Sequence, residues 1–276
     1  MPATQNEKAK KFRALHEGPG AFIIPNPWDA GTARMLTAIG FSALATTSAG
    51  FAFSLGRRDG EGLVSRDELL GHIRAIVDAS DLPVSGDLEK GFGDDPQTVA
   101  ETIRLAAEAG LVGGSIEDAS GDPRHPIYEH NHAVERITAA VEAARSLPFP
   151  FTLTARAENF LHGIPNLDDT IRRLTAFANA GADVLYAPCL PTLDDIKAVC
   201  SAVAPKPVNV LVGANGLTAA DLANTGARRI SLGSGLSRVA LSAFLNAARE
   251  MKERGTFSFA QGGASYSELN NFMKGS

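Results

Sequence analysis

The chain has 276 residues, 44% of them hydrophobic and 21% charged, enough apolar content for one large domain or two small ones. A formal net charge of −5, with no Lys/Arg-rich run, argues against nucleic acid or an anionic membrane as a main partner. No apolar run approaches the ~20 residues needed to cross a bilayer. The two cysteines, Cys189 and Cys200, show neither metal nor disulfide spacing, so a reducing, cytoplasmic setting is expected.

The opening "MPATQNEKAKKFRALHEG" is polar and amphipathic, lacks a signal-peptide apolar core and is expected to be a helical extension. A strand is expected over "AFIIPN" (21–26), after which "PNPWDAG" starts a helix with Trp28 as packing. "FSALATTS" (41–48) follows, then a long loop, "AGFAFSLGRRDGEG", carrying Asp59. "SRDELLGHIRAIVDAS" has Ser65 and Glu68 in capping-box spacing and places Leu69, Leu70, Ile73, Ile76 and Val77 on one face. The strand "LPVSGDLE" (82–89) leads to a helix with Asp95 as N-cap, Pro96 at its first position and Gly110 as its stop. Then come "VGGSIED" (112–118), "FTLTARAE" (151–158), "DVLYAP" (183–188), "PVNVLVG" (207–213) and "RRISLGSG" (228–235), separated by helical patterns such as "LDDTIRRLTAFANAG" and "TLDDIKAVCSAVA". "GANG" (213–216) and "GSG" (233–235) are read as tight strand-to-helix turns.

Most of these strands are continuous apolar runs, as expected for parallel strands covered on both faces. Eight of them alternating with helices predict an α/β protein, a closed (β/α)8 TIM-type barrel over residues 1–241, more readily than an open doubly wound sheet. In such a barrel the site lies at the C-terminal ends of the strands.

Asp87 and Glu89 close strand three, Glu117 and Asp118 strand four, and Arg156 and Glu158 strand five. Asp87, Glu89 and Glu117, with Asp59 from the loop after strand two, would repel one another in a partly desolvated cleft. A hard divalent cation resolves that repulsion, and oxygen-only ligands select Mg²⁺ or Mn²⁺ over zinc. Asp94 and Asp95 are helix-capping acids and are left out. Arg156, flanked by apolar residues, needs an anionic partner; substrate contact is favoured over a structural pair with the rim acids. His125, His130 and His132 share one loop without metal spacing, and one of them could serve acid–base chemistry.

With these residues in this order, the chain resembles the isocitrate lyase/phosphoenolpyruvate mutase superfamily. "PNPWDAGTARMLTAIGFSALATTSAG" is similar to its N-terminal signature, "GDLEKGFG" resembles its D-x-[DE]-x-G-[YF]-G metal loop, and "SIED", "LTARAENF" and "KPVNVL" continue the match over about residues 20–240. The resemblance implies a (β/α)8 barrel, Mg²⁺, a small 2-oxo acid or carboxylate substrate and an enolate intermediate. It also implies homo-oligomers, usually a dimer of dimers, that exchange a C-terminal helical segment, here expected over residues 242–276. Carried over, Asp87 is the most direct metal ligand, with Asp59, Glu89 and Glu117 acting directly or through water. Thr47, Ser48 and Ala49 stand at the substrate-carboxylate loop, Arg156 clamps the same carboxylate and Asn209 touches the rest of the substrate.

The departures bear on the reaction. "EDASGDPRHPIYEHNH" replaces the K-[KR]-C-G-H loop of isocitrate and methylisocitrate lyases, leaving Arg124 and His125 as the nearest basic residues. "YAPCLP" lacks the glutamate that family lyases place after a proline in strand six. The expected activity is Mg²⁺-dependent carbon–carbon cleavage or decarboxylation of a 2-oxo or 2-hydroxy acid, with Arg124 or His125 closing over the substrate to supply a proton. Phosphoenolpyruvate mutase-like or phosphonopyruvate hydrolase-like chemistry is one alternative. An oxo-acid-binding protein with little turnover is another.

Overall fold

In the computed structural model, which describes residues 3–213 and 216–274, eight parallel strands form one sheet curled into a nearly closed barrel with helices outside it. The strands are β1 (Phe22–Ile24), β2 (Leu44–Ala45), β3 (Val84–Asp87), β4 (Gly113–Glu117), β5 (Thr152–Arg156), β6 (Val184–Tyr186), β7 (Val208–Leu211) and β8 (Arg229–Ser231). Every neighbouring pair is parallel, and β1 lies against β8. The remaining seam, between β1 and β2, is joined by the Ala45 N–H donating to Pro25 O at 3.1 Å. Asn26 reinforces it: its Nδ2 donates to Thr46 O at 3.1 Å while its Oδ1 accepts from Leu232 N–H at 2.9 Å. The expected (β/α)8 barrel is the observed fold.

Helix α1 (Gln5–Glu17) starts at a Thr4–Glu7 capping box and turns Ala9, Phe12 and His16 inward. Phe12 and Ala9 form a small apolar cluster with Ile24, Ala43 and Val112, so α1 packs at the N-terminal side of the strands. The helices α2 (Ala30–Ile39), α3 (Ser48–Ser54), α4 (Arg66–Asp78), α5 (Pro96–Glu108), α6 (His130–Arg145), α7 (Leu167–Asn179), α8 (Leu193–Ala202) and α9 (Ala219–Asn224) follow their strands. The Ser65/Glu68 capping box of α4 is present, and Asp95 caps α5 with Pro96 at its start. Gly110 takes φ +96°, the left-handed conformation that ends α5.

Two expectations are corrected. Strands are shorter than the apolar runs, because a parallel ladder lasts only while a neighbour continues beside it. The segment after β2 is not all loop: Thr47 caps α3 by accepting from Gly50 N–H at 3.3 Å. The "GSG" turn leads into α10 (Gly235–Arg254), whereas Ala214 and Asn215 of "GANG" lie outside the described residues. The boundary expected at 241/242 falls inside α10. A short 3₁₀ turn (Ser258–Gly262) and α11 (Tyr266–Met273) follow, α11 lying against α2 with Arg34 Nη1 donating to Met273 O at 3.1 Å. Among the described residues no helix is long and apolar enough to cross a membrane.

Candidate active site

Side chains alternate along a strand, so Ser85 and Asp87, Ser115 and Glu117, and Thr154 and Arg156 share the inward faces of β3, β4 and β5. The upper member of each pair stands at the strand's C-terminal end. A cavity of about 220 Å³ opens there, and Thr47, Ser48, Ala49, Asp59, Asp87, Arg156 and Asn209 all line it.

Arg156 is the centre of the acidic rim. Its Nη1 reaches Asp87 Oδ1 at 3.0 Å, Nη2 reaches Glu117 Oε2 at 3.1 Å, and Nε reaches Glu158 Oε1 at 2.8 Å. The guanidinium is therefore paired with rim acids, the arrangement the residue-level reading ranked second. Burial opposes its charge, but Glu158, Glu117 and Asp87 outweigh that and hold its pKa well above the ordinary value. Three of its five N–H groups are engaged, which leaves two for a ligand.

Asp87 is held from a second side. Its Oδ2 accepts the Ser48 N–H at 3.1 Å, and its own N–H donates to Thr46 Oγ1 at 2.9 Å. The carboxylate thus ties the start of α3 to β3. Asp59 comes down from the loop after α3 to accept from the Ser48 hydroxyl and the Gly60 N–H. Burial, then the charge of Asp87, raise its pKa. Glu89 sits in a left-handed backbone conformation at φ +49°, which non-glycine residues rarely adopt. Burial first, then Asp87 and Asp59, push its carboxyl up to about 7. Burial also raises Glu117 well above the carboxylate range; Arg156 pulls it back, while Glu158, Asp87 and Glu89 add to the rise.

Among the described residues neither Asp59 nor Glu89 forms an ion pair, so Arg156 does not neutralise the whole rim. That residual repulsion between carboxylates crowded at the cavity rim is the condition a hard divalent cation relieves. Yet among the described residues no group of three or more His, Cys, Asp or Glu side chains is gathered as a ready-made metal cage. The donor set suits Mg²⁺, which keeps several waters and takes only one or two carboxylates.

Arg124 and His125 are not brought to this cavity. Both are exposed on the loop after β4, where Arg124 Nη2 pairs with Asp122 Oδ2 at 3.3 Å and the Ser120 hydroxyl binds His125 O. Asn209 is buried with its amide engaged: Oδ1 accepts from Arg229 Nε at 2.8 Å, and Nδ2 donates to Ser231 Oγ at 2.9 Å.

Several residues were missed as parts of the site. Glu158, fully buried, anchors Arg156, and its N–H donates to Asp118 Oδ1 at 2.8 Å. Asp118 in turn holds Arg173 at 3.0 Å; burial raises its pKa to about 7 despite that N–H and Arg173. Asn26, Tyr186 and Arg229 also line the cavity. The signals were a second acid two residues after Arg156 and an asparagine set between two prolines.

An oxygen-rich, arginine-centred rim at the strand C-termini of a (β/α)8 barrel lies where enzymes of this fold carry their active sites, and comparison with known proteins gives the class as lyase and mutase. Residues 12–252 match the model of the phosphoenolpyruvate phosphomutase family, and the chain belongs to that family, within the isocitrate lyase/phosphoenolpyruvate mutase superfamily. It is 59% identical to a Burkholderia cenocepacia J2315 structure described as a lyase/mutase, with a TM-score of 0.94 over 98% of this chain and 96% of that one. It is 25% identical to oxaloacetate acetylhydrolase solved with the product oxalate, at a TM-score of 0.87 over 98% and 94% of the two chains. It is also 31% identical to the 2-methylisocitrate lyase of Escherichia coli (strain K12), over 70% of this chain and 66% of that enzyme.

Proposed function

We propose that this enzyme is a Mg²⁺-dependent carbon–carbon lyase of the cytoplasm, cleaving or decarboxylating a small 2-oxo or 2-hydroxy carboxylic acid through an enolate. The observation that carries this is Arg156, largely buried on the cavity wall with two N–H groups to spare, beside Asp59 and Glu89, which form no ion pair among the described residues. The likeness to 2-methylisocitrate lyase and oxaloacetate acetylhydrolase supports a small carboxylic acid as substrate.

Asp87 would hold the metal most directly, with Asp59, Glu89 and Glu117 acting directly or through water. Bound there, Mg²⁺ supplies Lewis-acid stabilisation for negative charge on a substrate oxygen. The chain's own residues do the rest. Arg156, fixed by three carboxylates, presents its free N–H groups to the substrate carboxylate and to charge developing on it. Thr47, Ser48 and Ala49 shape the opposite wall, and Asp87 fixes their position through the Ser48 N–H. Asn209 lies deeper, where the rest of the substrate would reach. Proton delivery by Arg124 or His125 requires the loop after β4 to swing over the cavity.

The test is pyruvate release from oxaloacetate and from branched 2-hydroxy acids, measured with Mg²⁺ and again after chelation. Metal-dependent release supports the lyase. The family match also favours a second reading, phosphonate chemistry, for which phosphate release from phosphonopyruvate without any C–C cleavage would be the result. Oxalate binding with no turnover on either panel would indicate a binding protein.

The barrel is also proposed to assemble as a homo-oligomer, a dimer of dimers, through α10 and the segment after it. From Arg238 to Asn246 every residue of α10 is exposed, including Val239 at 70% and Phe244 at 67%.

A further inference from the structure

The turn that carries Glu89 away from β3 has an unusual backbone. Glu89 at φ +49° and Phe92 at φ +63° stand either side of Gly91 at φ +81°, so two non-glycine residues take the left-handed conformation in the span 89–92. Such residues persist only where their surroundings fix them. On the barrel side β4 does so: the Glu117 N–H donates to Glu89 O at 3.0 Å, and the Leu88 N–H donates to Ser115 O at 3.2 Å. On the helix side, α5 and α6 take up the carbonyls beyond Glu89. Gly91 O accepts from Thr102 Oγ1 at 2.8 Å. Arg136 takes three more: its Nη1 donates to Gly93 O and to Asp94 O, each at 2.6 Å, and its Nη2 donates to Lys90 O.

Arg136 stands in the first half of α6 and is 1% exposed. A buried guanidinium ordinarily takes a carboxylate or a phosphate. Among the described residues this one forms no ion pair; its hydrogen bonds go to main-chain oxygens of a single turn. Its Cζ lies 4.2 Å from the centre of the Tyr128 ring, a cation–π contact that covers one face of the fork. Tyr128 is itself fixed, its hydroxyl bonding the Asp94 carboxylate and its N–H donating to Asp118 O at 2.8 Å. A rigid planar fork reaches Lys90, Gly93 and Asp94 together only when the turn between them is closed. The side chain therefore specifies the shape of that turn.

We infer that Arg136 is a positioning residue that sets Glu89 at the acidic rim from outside the barrel. It is not among the residues that line the cavity; it closes the turn that leaves Glu89 and thereby fixes where that carboxylate stands. This role rests on Glu89 being part of the proposed metal site. Two consequences separate it from general packing: loss of Arg136 is felt through Glu89, and the backbone it loosens is confined to this turn.

The experiment is Mn²⁺ binding to the full chain without substrate, followed by electron paramagnetic resonance, for wild type, Arg136→Met, Glu89→Ala and the double variant. Arg136→Met should weaken Mn²⁺ binding about 10–100-fold, the usual cost of removing a group that supports a metal ligand. In the Glu89→Ala background the same change should cost far less, because the residue it acts through is gone. An unchanged affinity, or an equal fold-loss in both backgrounds, overturns the role. A wild type that takes up no Mn²⁺ sinks the metal-site reading instead, and hydrogen exchange of the metal-free protein then decides whether Arg136 holds the turn. The amides to follow are Gly91, which donates to Leu88 O at 2.9 Å, and Glu117, which donates to Glu89 O. Faster exchange of both in Arg136→Met, with the β5 amides unchanged, supports the clamp; unchanged exchange overturns it. Should Arg136→Met fail to fold, Arg136→Lys, which keeps the charge and loses the planar fork, is read by the same two measurements.

Discussion

Asp87 holds two elements and one cation at once, accepting from Arg156 at 3.0 Å and from the Ser48 N–H at 3.1 Å. Asp87→Ala removes the most direct proposed metal ligand and frees the start of α3. Steady-state assays should show Mg²⁺-dependent turnover falling by roughly 10³-fold or more, on the scale of losing a main electrostatic contact; full retained turnover would sink the assignment. Arg156→Gln acts differently, because it leaves Glu117 and Glu158 buried without their cation. In chelator, urea unfolding should show a loss of about 3–5 kcal/mol. Added Mg²⁺ should restore part of it, and an unchanged midpoint would mean the triad is not under electrostatic load. The rim was legible in the sequence because strand-end acids and Arg156 fall where a barrel puts its site. Arg229 was not. Arg228 and Arg229 are adjacent, and alternation sends one outward, where Arg228 binds Gly18 O at 2.8 Å, and the other inward. Nothing local in "RRIS" says which, since the register is set by the neighbouring strands.

Helix α1 shows the same dependence on context at the level of an element. Its polar, amphipathic character was readable, whereas its Thr4–Glu7 cap and the inward turn of His16 were not read, because one histidine on an amphipathic helix carries no mark of burial. His16 Nδ1 lies 2.8 Å from Phe12 O, a carbonyl that can only accept, so Nδ1 carries the proton and Nε2 faces inward unprotonated. Burial, then the charge of Arg229, lowers its pKa to about 3. A histidine depressed in the folded state binds its proton only on unfolding, so stability is full above pH ~6.5 and falls as pH drops from there toward 3. The loss amounts to about 1.4 kcal/mol per unit of the shift traversed. Melting curves between pH 7 and 4 should therefore slope more steeply for wild type than for His16→Met; equal slopes would remove His16 as the cause. Helix α3 was missed for another reason. At seven residues, with Gly50 inside, it has too little periodicity to be seen, and it forms because Thr47 caps it and Asp87 receives its first N–H.

At the scale of the whole molecule, the alternation of apolar runs with capped helices was enough to name the barrel, while closure of its seam between β1 and β2 depends on Asn26 Nδ2 donating to Thr46 O, a side-chain contact that no periodicity marks. Most of the C-terminal arm is left uncovered by its own barrel. After Ser237, which is buried, α10 is exposed around its full circumference at Arg238–Asn246, with Phe244 at 67%. Beyond it Phe257 at 64% and Tyr266 at 86% are also open. A helix with apolar residues on every side is stable when something covers it, and an equivalent arm of a second copy has the matching surface. Light scattering of the wild type should then give a multiple of the chain mass at micromolar concentration. Phe244→Asp places a charge at the centre of the proposed contact and should weaken association roughly tenfold or more, about 1.4 kcal/mol, shifting the population to smaller species. Its circular dichroism should stay unchanged, because Phe244 contributes little to its own barrel. A wild-type monomer, or a Phe244→Asp protein that assembles undiminished, would show that the arm is covered in some other way.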